Sequence, residues 1–232
     1  MWGRGVVAVA LGAALLTACS GDKKDAQRSA PPVTTVTTVA AGCPAPSGPA
    51  GSTEATNAAG DFDGDGRADR LVTYRVSSGG AWRVRAELAA GGGAEAELPA
   101  TADGVKAVGG ARLDVGPAEA AFAVVGRGGA GTNFGLFVLR QCKLERVTLA
   151  GKPAEFPIGS GANSRSGLAC QVPGLVAYTA ATGDGRFYQA STISYLLVGV
   201  ILDEAHRATS TIGADDPALA PYGAFSCGQL RL

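Results

Sequence analysis

Apolar and polar positions alternate with a period of two over much of the chain, and the alternation comes in short pieces bounded by turn residues. Leu71 to Ser77 places Val72, Tyr74 and Val76 on one side, and Trp82, Val84, Ala86 and Leu88 alternate with Arg83, Arg85 and Glu87. Joined by Ser77-Ser78-Gly79-Gly80, these segments predict a hairpin. The same style returns in Ala120 to Val125, a glycine-rich loop, Phe134 to Arg140, a turn near Gln141, and Leu144 to Leu149. A third group runs from Gly174 through Ala180, Arg186 to Val200, and Arg207 to Ile212. Helix-period segments are hard to find. The pattern predicts an all-β protein built from antiparallel sheets.

The first apolar run is of another kind. After Arg4 it extends from Val6 to Leu16, too short to span a bilayer comfortably as a permanent helix, and it reads as a signal peptide. The residues that close it, Leu16-Thr17-Ala18-Cys19, resemble the lipobox of bacterial lipoproteins. The resemblance implies cleavage before Cys19, a diacylglycerol on its thiol, and attachment to the extracytoplasmic face of the cell membrane. The alternative is an ordinary secretory signal that happens to contain a cysteine. Ser20 to Gly42 is polar and then Thr/Val-rich around Pro31 and Pro32, a composition suited to a disordered tether. The expected organisation is a signal peptide over 1–18, the lipidated Cys19 and tether over 19–50, and an all-β domain over 51–232.

That domain is long enough for one hydrophobic core. Lys and Arg together number 20, as do Asp and Glu, and the basic residues do not cluster, so no face for nucleic acid is expected. Beyond Cys19 lie Cys43, Cys142, Cys170 and Cys227, an even number in a chain read as exported, and two disulfides follow. Of the three connectivities, Cys142–Cys170 with Cys43–Cys227 is favoured, because the second bond would clasp the two ends of the folded region. A zinc site has no CxxC or Cys/His spacing to support it, His206 being the only histidine.

The richest stretch is Gly60-Asp61-Phe62-Asp63-Gly64-Asp65-Gly66-Arg67-Ala68-Asp69. Four carboxylates interleaved with glycines would repel one another unless a cation joined them. The spacing D-x-D-x-D-G-x-x-D suits an oxygen cage for calcium, although Val72 stands where an EF-hand has its bidentate Glu and a strand follows in place of a helix. GDFDGDGRADRLV resembles the calcium loop of FG-GAP and VCBS repeats, the integrin-alpha-like loops that join neighbouring strands of β-propeller blades. The resemblance implies one structural calcium ion held by the side chains of Asp61, Asp63, Asp65 and Asp69 and the backbone carbonyl of Arg67. The alternative is a solvated acidic turn without an ion. Gly110 to Val124 aligns with Gly60 to Tyr74 at an offset of fifty, with Gly110, Gly116 and Glu119 opposite Gly60, Gly66 and Asp69. This second copy has lost the first three carboxylates, and Thr182-Gly183-Asp184-Gly185-Arg186 is a turn-like fragment of a third. With so few copies, a partial or small propeller of blade-like sheets is expected in place of a full one.

Two further motifs are declined. Gly126-Arg127-Gly128-Gly129-Ala130-Gly131 satisfies G-x-G-x-x-G, but a strand follows where a dinucleotide site needs a helix, so a hairpin loop is expected and no nucleotide. Asp203-Glu204-Ala205-His206 spells a helicase-like motif without any phosphate loop and reads as a polar turn between strands. Serine-hydrolase chemistry would have to use His206 without a nucleophile elbow, and no enzyme is expected. The expected function is that of a membrane-anchored interaction module of the cell envelope, binding an envelope protein or a glycan. The alternatives are a purely structural envelope protein and a hydrolase of wall polymers.

Overall fold

The computed structural model describes residues 42–45, 53–75, 80–99, 101–128 and 131–230. Cys19, the signal peptide and most of the tether lie outside them. The described residues form an all-β fold in which a four-stranded sheet packs on a twelve-stranded one, and neither closes. The first contains β1 (Thr53–Gly60), β2 (Asp69–Arg75), β3 (Trp82–Glu87) and β4 (Gly93–Glu97) as an antiparallel meander. The second begins with β5 (Lys106–Ala111), β6 (Ala120–Gly128), β7 (Gly131–Arg140) and β8 (Lys143–Arg146). It continues with β9 (Thr148–Leu149), β10 (Lys152–Pro153), β11 (Glu155–Ser160), β12 (Ser164–Cys170), β13 (Leu175–Ala181), β14 (Phe187–Val198), β15 (Ile201–Gly213) and β16 (Phe225–Ser226).

The β6–β7 hairpin is covered on both faces. Ala121, Ala123, Val125 and Phe137 face Leu71, Val84 and Ala86 of the smaller sheet. Phe122, Val124, Phe134 and Leu136 face the second core, with Leu168, Leu175, Ile193 and Leu202 from the distal strands. A strand buried on both sides reads as a continuous apolar run, which is why Ala120 to Val125 shows no alternation. The alternation in β3 is the opposite case. Val84 and Ala86 are fully buried, while Arg83 and Arg85 turn outward to Glu95, with Arg83–Glu95 at 2.5 Å and Arg83–Glu97 at 2.8 Å. Val72 and Tyr74 share one face, as predicted, but it is the arginine face: Tyr74 is opposite Arg83 and stacks beneath the Arg85 guanidinium at 4.5 Å. Leu71 carries the core side.

The glycine-rich motif is a hairpin tip, with Gly128 opposite Gly131 and no helix after it. The turn at Gln141 and Cys142 is formed by two residues at positive φ, 49° and 60°. The expectation of a turn at Asp203 to His206 is corrected. These residues lie inside β15, where a register shift between Ser194 and Tyr195 leaves Ala205 as the extra residue of a bulge.

The expected disulfide pairing is also corrected: the bonds are Cys43–Cys142 and Cys170–Cys227. The physical reason is strand placement. β16 lies parallel to β12 with Leu168 opposite Phe225 and Ala169 opposite Ser226, so the next step of the ladder brings Cys170 beside Cys227 at a Cα separation of 4.6 Å. At the other end, the Gly93 amide donates to the Pro44 carbonyl, fixing the incoming chain on β4, which packs against β8 and the adjoining Cys142 turn. The Cys43–Cys142 bond thus joins the entering chain, which lies on the smaller sheet, to the β7–β8 turn of the larger one, the Cys170–Cys227 bond holds β16 on β12, and no bond clasps the two ends together. Non-reducing peptide mapping is expected to recover these two pairs. For the separation of 57 residues between Cys170 and Cys227, the chain-entropy relation gives a loss of about 4 kcal/mol when both become alanine, readable by denaturant unfolding under oxidising conditions.

Candidate metal site

The loop from Asp61 to Ala68 joins β1 to β2, and its carboxylates organise its own backbone. The two Asp61 oxygens accept the amides of Gly64 and Gly66 at 2.9 and 3.0 Å. Asp63 accepts the Asp65 amide at 3.1 Å, and Asp65 accepts the Arg67 amide at 2.8 Å, a ladder of Asx turns. Glycine is required at Gly64, where φ is +77° and a Cβ would come within 2.8 Å of the Pro117 ring. Beneath the loop the Phe62 side chain is fully buried and joins the core between the sheets.

This winding gathers Asp61, Asp63 and Asp65 so that one oxygen from each lies within 4.8 Å of the others. Calcium–oxygen distances of about 2.3–2.6 Å allow two ligands of one ion to stand up to about 5 Å apart, so the spread and the hard oxygen chemistry fit that cation. Desolvation raises the Asp63 pKa above its ordinary value, and the neighbouring Asp69, Asp65 and Asp61 charges push it the same way, against the lowering effect of the Asp65 amide. Arg67 is exposed, with its guanidinium 3.8 Å from the Asp65 carboxylate and hydrogen-bonded to the Ala89 carbonyl.

Asp69, the fourth residue expected to contribute a side chain, stands apart from that triad. It is buried at 3% exposure, and its oxygens accept the Phe62 amide at 2.7 Å and the Ala89 amide at 2.8 Å. The carboxylate therefore ties the acidic loop to the β3–β4 turn. Sequence reasoning did not assign a role to Glu119. Its carboxylate accepts the Asp61 amide at 3.0 Å, and its own amide donates to the Asp61 carbonyl at 2.7 Å. The signal was its alignment with Asp69. The two copies also meet at Gly60 and Gly110, where a Cβ on either residue would lie 2.8 Å from the Cα of the other.

The third fragment repeats the turn chemistry. Thr182 Oγ1 accepts the Asp184 amide at 3.3 Å and Asp184 accepts the Arg186 amide at 2.9 Å, matching Asp63 and Asp65 in the acidic loop. The Arg186 and Phe187 amides hold the Asp184 carboxyl below its ordinary pKa. Only one carboxylate is present there, and the fragment is a hairpin turn between β13 and β14.

Comparison with protein-family models, curated proteins and solved structures finds no match.

The burial difference within the loop sets an expectation. Asp69→Ala leaves two backbone amides without their acceptor and should lower stability in chelator by about 2–6 kcal/mol, at about 1–3 kcal/mol per buried orphan. Asp65→Ala, at an exposed position, should cost under about 1 kcal/mol in the same buffer. Equal losses in urea unfolding would contradict the structural role of Asp69.

Proposed function

We propose that the chain is an exported lipoprotein whose disulfide-braced β domain carries one structural calcium ion and serves as an interaction module of the cell envelope. The observation that carries the calcium reading is the convergence of Asp61, Asp63 and Asp65 on a turn whose backbone their own carboxylates hold. Two cysteine pairs in bonding geometry support an oxidising compartment. The lipobox-like Leu16-Thr17-Ala18-Cys19 supports the anchor. In this reading Asp61, Asp63 and Asp65 supply side-chain ligands and Arg67 a backbone carbonyl, while Asp69 holds the loop closed from below and is the fourth candidate ligand. The ion would supply charge neutralisation and no catalysis. The interaction partner is an envelope protein or a glycan.

Calcium is expected to raise the melting temperature. Extracellular calcium modules bind with Kd of roughly 10⁻⁴–10⁻³ M, and a ligand at a hundred times its Kd adds about 2.7 kcal/mol. Asp65→Ala should remove most of that rise, whereas Asp114→Ala in the second copy should keep it. A wild-type protein that melts identically in chelator and in calcium, with no heat on titration, returns the loop to a solvated acidic turn. The anchor has its own check. Cys19→Ser is expected to abolish incorporation of labelled fatty acid and to leave an unprocessed precursor, and unchanged labelling would remove the lipoprotein reading.

A further inference from the structure

Six large hydrophobic side chains are exposed among the described residues, and five of them gather at one end of the domain. Leu196, Val198 and Ile201 are 39%, 59% and 47% exposed at the tip of the β14–β15 hairpin. Val198 pairs with Ile201 and Leu196 with Asp203, so the three apolar side chains share the outer face while the Leu197–Leu202 pair turns inward. Val172 sits on the β12–β13 turn, and the following Gly174 lies against the backbone of Tyr195 and Leu196. Val115, 89% exposed, belongs to the loop whose Leu113 carbonyl accepts the Gly174 amide. Phe187, the sixth, begins β14, whose twelve residues at about 3.3 Å each put it roughly 36 Å from the tip.

We propose that this end, centred on Val198 and Ile201, is a contact surface for the phospholipid bilayer that carries the anchor. The inference rests on the lipid-anchor reading and adds an orientation to it. The argument is where the tether enters. Cys43, which follows the Ser20–Gly42 stretch, is bonded to Cys142, and two residues before Cys142 the Arg140 guanidinium lies against Gly199 of the apolar tip. On the lipid-anchor reading 23 residues separate Cys19 from Cys43, and a flexible linker of that length has an r.m.s. span of roughly 25–30 Å. Such a linker holds its entry point near the membrane at an effective concentration on the millimolar scale, so a weak contact by a few aliphatic side chains becomes populated. Arg140 and Lys143 are exposed on the adjoining β7–β8 turn and complement anionic headgroups. Asp203, exposed opposite Leu196 on the same face, limits the contact to the interfacial layer.

The test uses the processed chain, in a Trp82→Phe background, reconstituted in vesicles of phosphatidylcholine and phosphatidylglycerol with brominated acyl chains. Val198→Trp and Ile201→Trp are expected to lose fluorescence to the bromolipid, and Phe187→Trp is expected to keep it. Hydrogen exchange of the unsubstituted protein supplies a second measure, with slowed exchange at residues 196–201 in vesicles relative to detergent. Quenching that is absent, or equal at all three positions, together with unchanged exchange, overturns the proposal. So does lipid-free dimerisation, or capture of a partner protein, that is abolished by Val198→Ser with Ile201→Ser in the absence of tip quenching. The mass of the N-terminal peptide reports lipid on Cys19 separately. If that lipid is absent the anchor reading fails, while the same three tryptophan positions, in protein added to the vesicles from solution, still decide the tip.

Discussion

The buried carboxylate of Asp69 is the contact on which the first half of the molecule turns. It is the one charged side chain buried among the described residues, and such a group is tolerated only when its oxygens are hydrogen-bonded. Its two bonds reach Phe62 on one side and Ala89 on the other, joining the β1–β2 loop to the β3–β4 turn across 20 residues of chain. Holding the Phe62 amide fixes the point at which the loop leaves β1, and the aromatic ring then enters the core between the sheets. The acidic loop is therefore wound around a structural pin that is chemically the same kind of residue as the ones it displays. The difference between pin and display is burial alone.

Around this pin the two aligned segments behave as halves of one assembly. Gly60 and Gly110 bring their backbones together, and the Glu119 carboxylate reaches across to the Asp61 amide of the other copy. The second loop has lost its first three carboxylates, yet it keeps the acidic side chain and the two glycines at Gly110 and Gly116. Of these, Gly110 and Glu119 build the contact with the first loop. Glu119 supports the display of Asp61 without sharing in the cluster.

Sheet content was legible where one face of a strand is polar, as in β3, where Arg83 and Arg85 mark the outer side. It was also legible where a short apolar run is bounded by turns, as in β6. The hairpin at Gln141 and the glycine-rich tip were carried by turn chemistry. β1, β4, β5, β10, β11, β12 and β16 were not read; TEATNAAG, EFPIGS and SRSGLAC lack a clean period, and β10 and β16 are two residues each. The disulfide pairing was invisible for a more basic reason. It follows from β16 lying parallel on β12 and from residues 42–45 lying on β4, long-range placements that no local pattern encodes. In the acidic loop Asp61, Asp63 and Asp65 lie close together, but spacing alone does not distinguish a carboxylate that faces solvent from one turned into the backbone. Asp69 is the first residue of β2, two positions before the core residue Leu71 and so on the same face of the strand, and that placement draws its side chain inward.

The same loop shows why its carboxylates converge before any cation is considered. Each of the bonds from Asp61, Asp63 and Asp65 to an amide lowers the freedom of the turn and orients an oxygen, so the repulsion among the three is borne by the fold. The Asp63 pKa is raised, chiefly by desolvation, with the neighbouring Asp69, Asp65 and Asp61 charges adding to it. Because the folded pKa lies above the unfolded one, this group adds stability as pH falls through the folded value and opposes folding above it. A divalent ion relieves the same repulsion without a change of pH, and a preorganised site loses less conformational freedom on binding it. Arg67 already provides a partial substitute at 3.8 Å from Asp65, but its exposed guanidinium is a single charge at long range and is screened by salt.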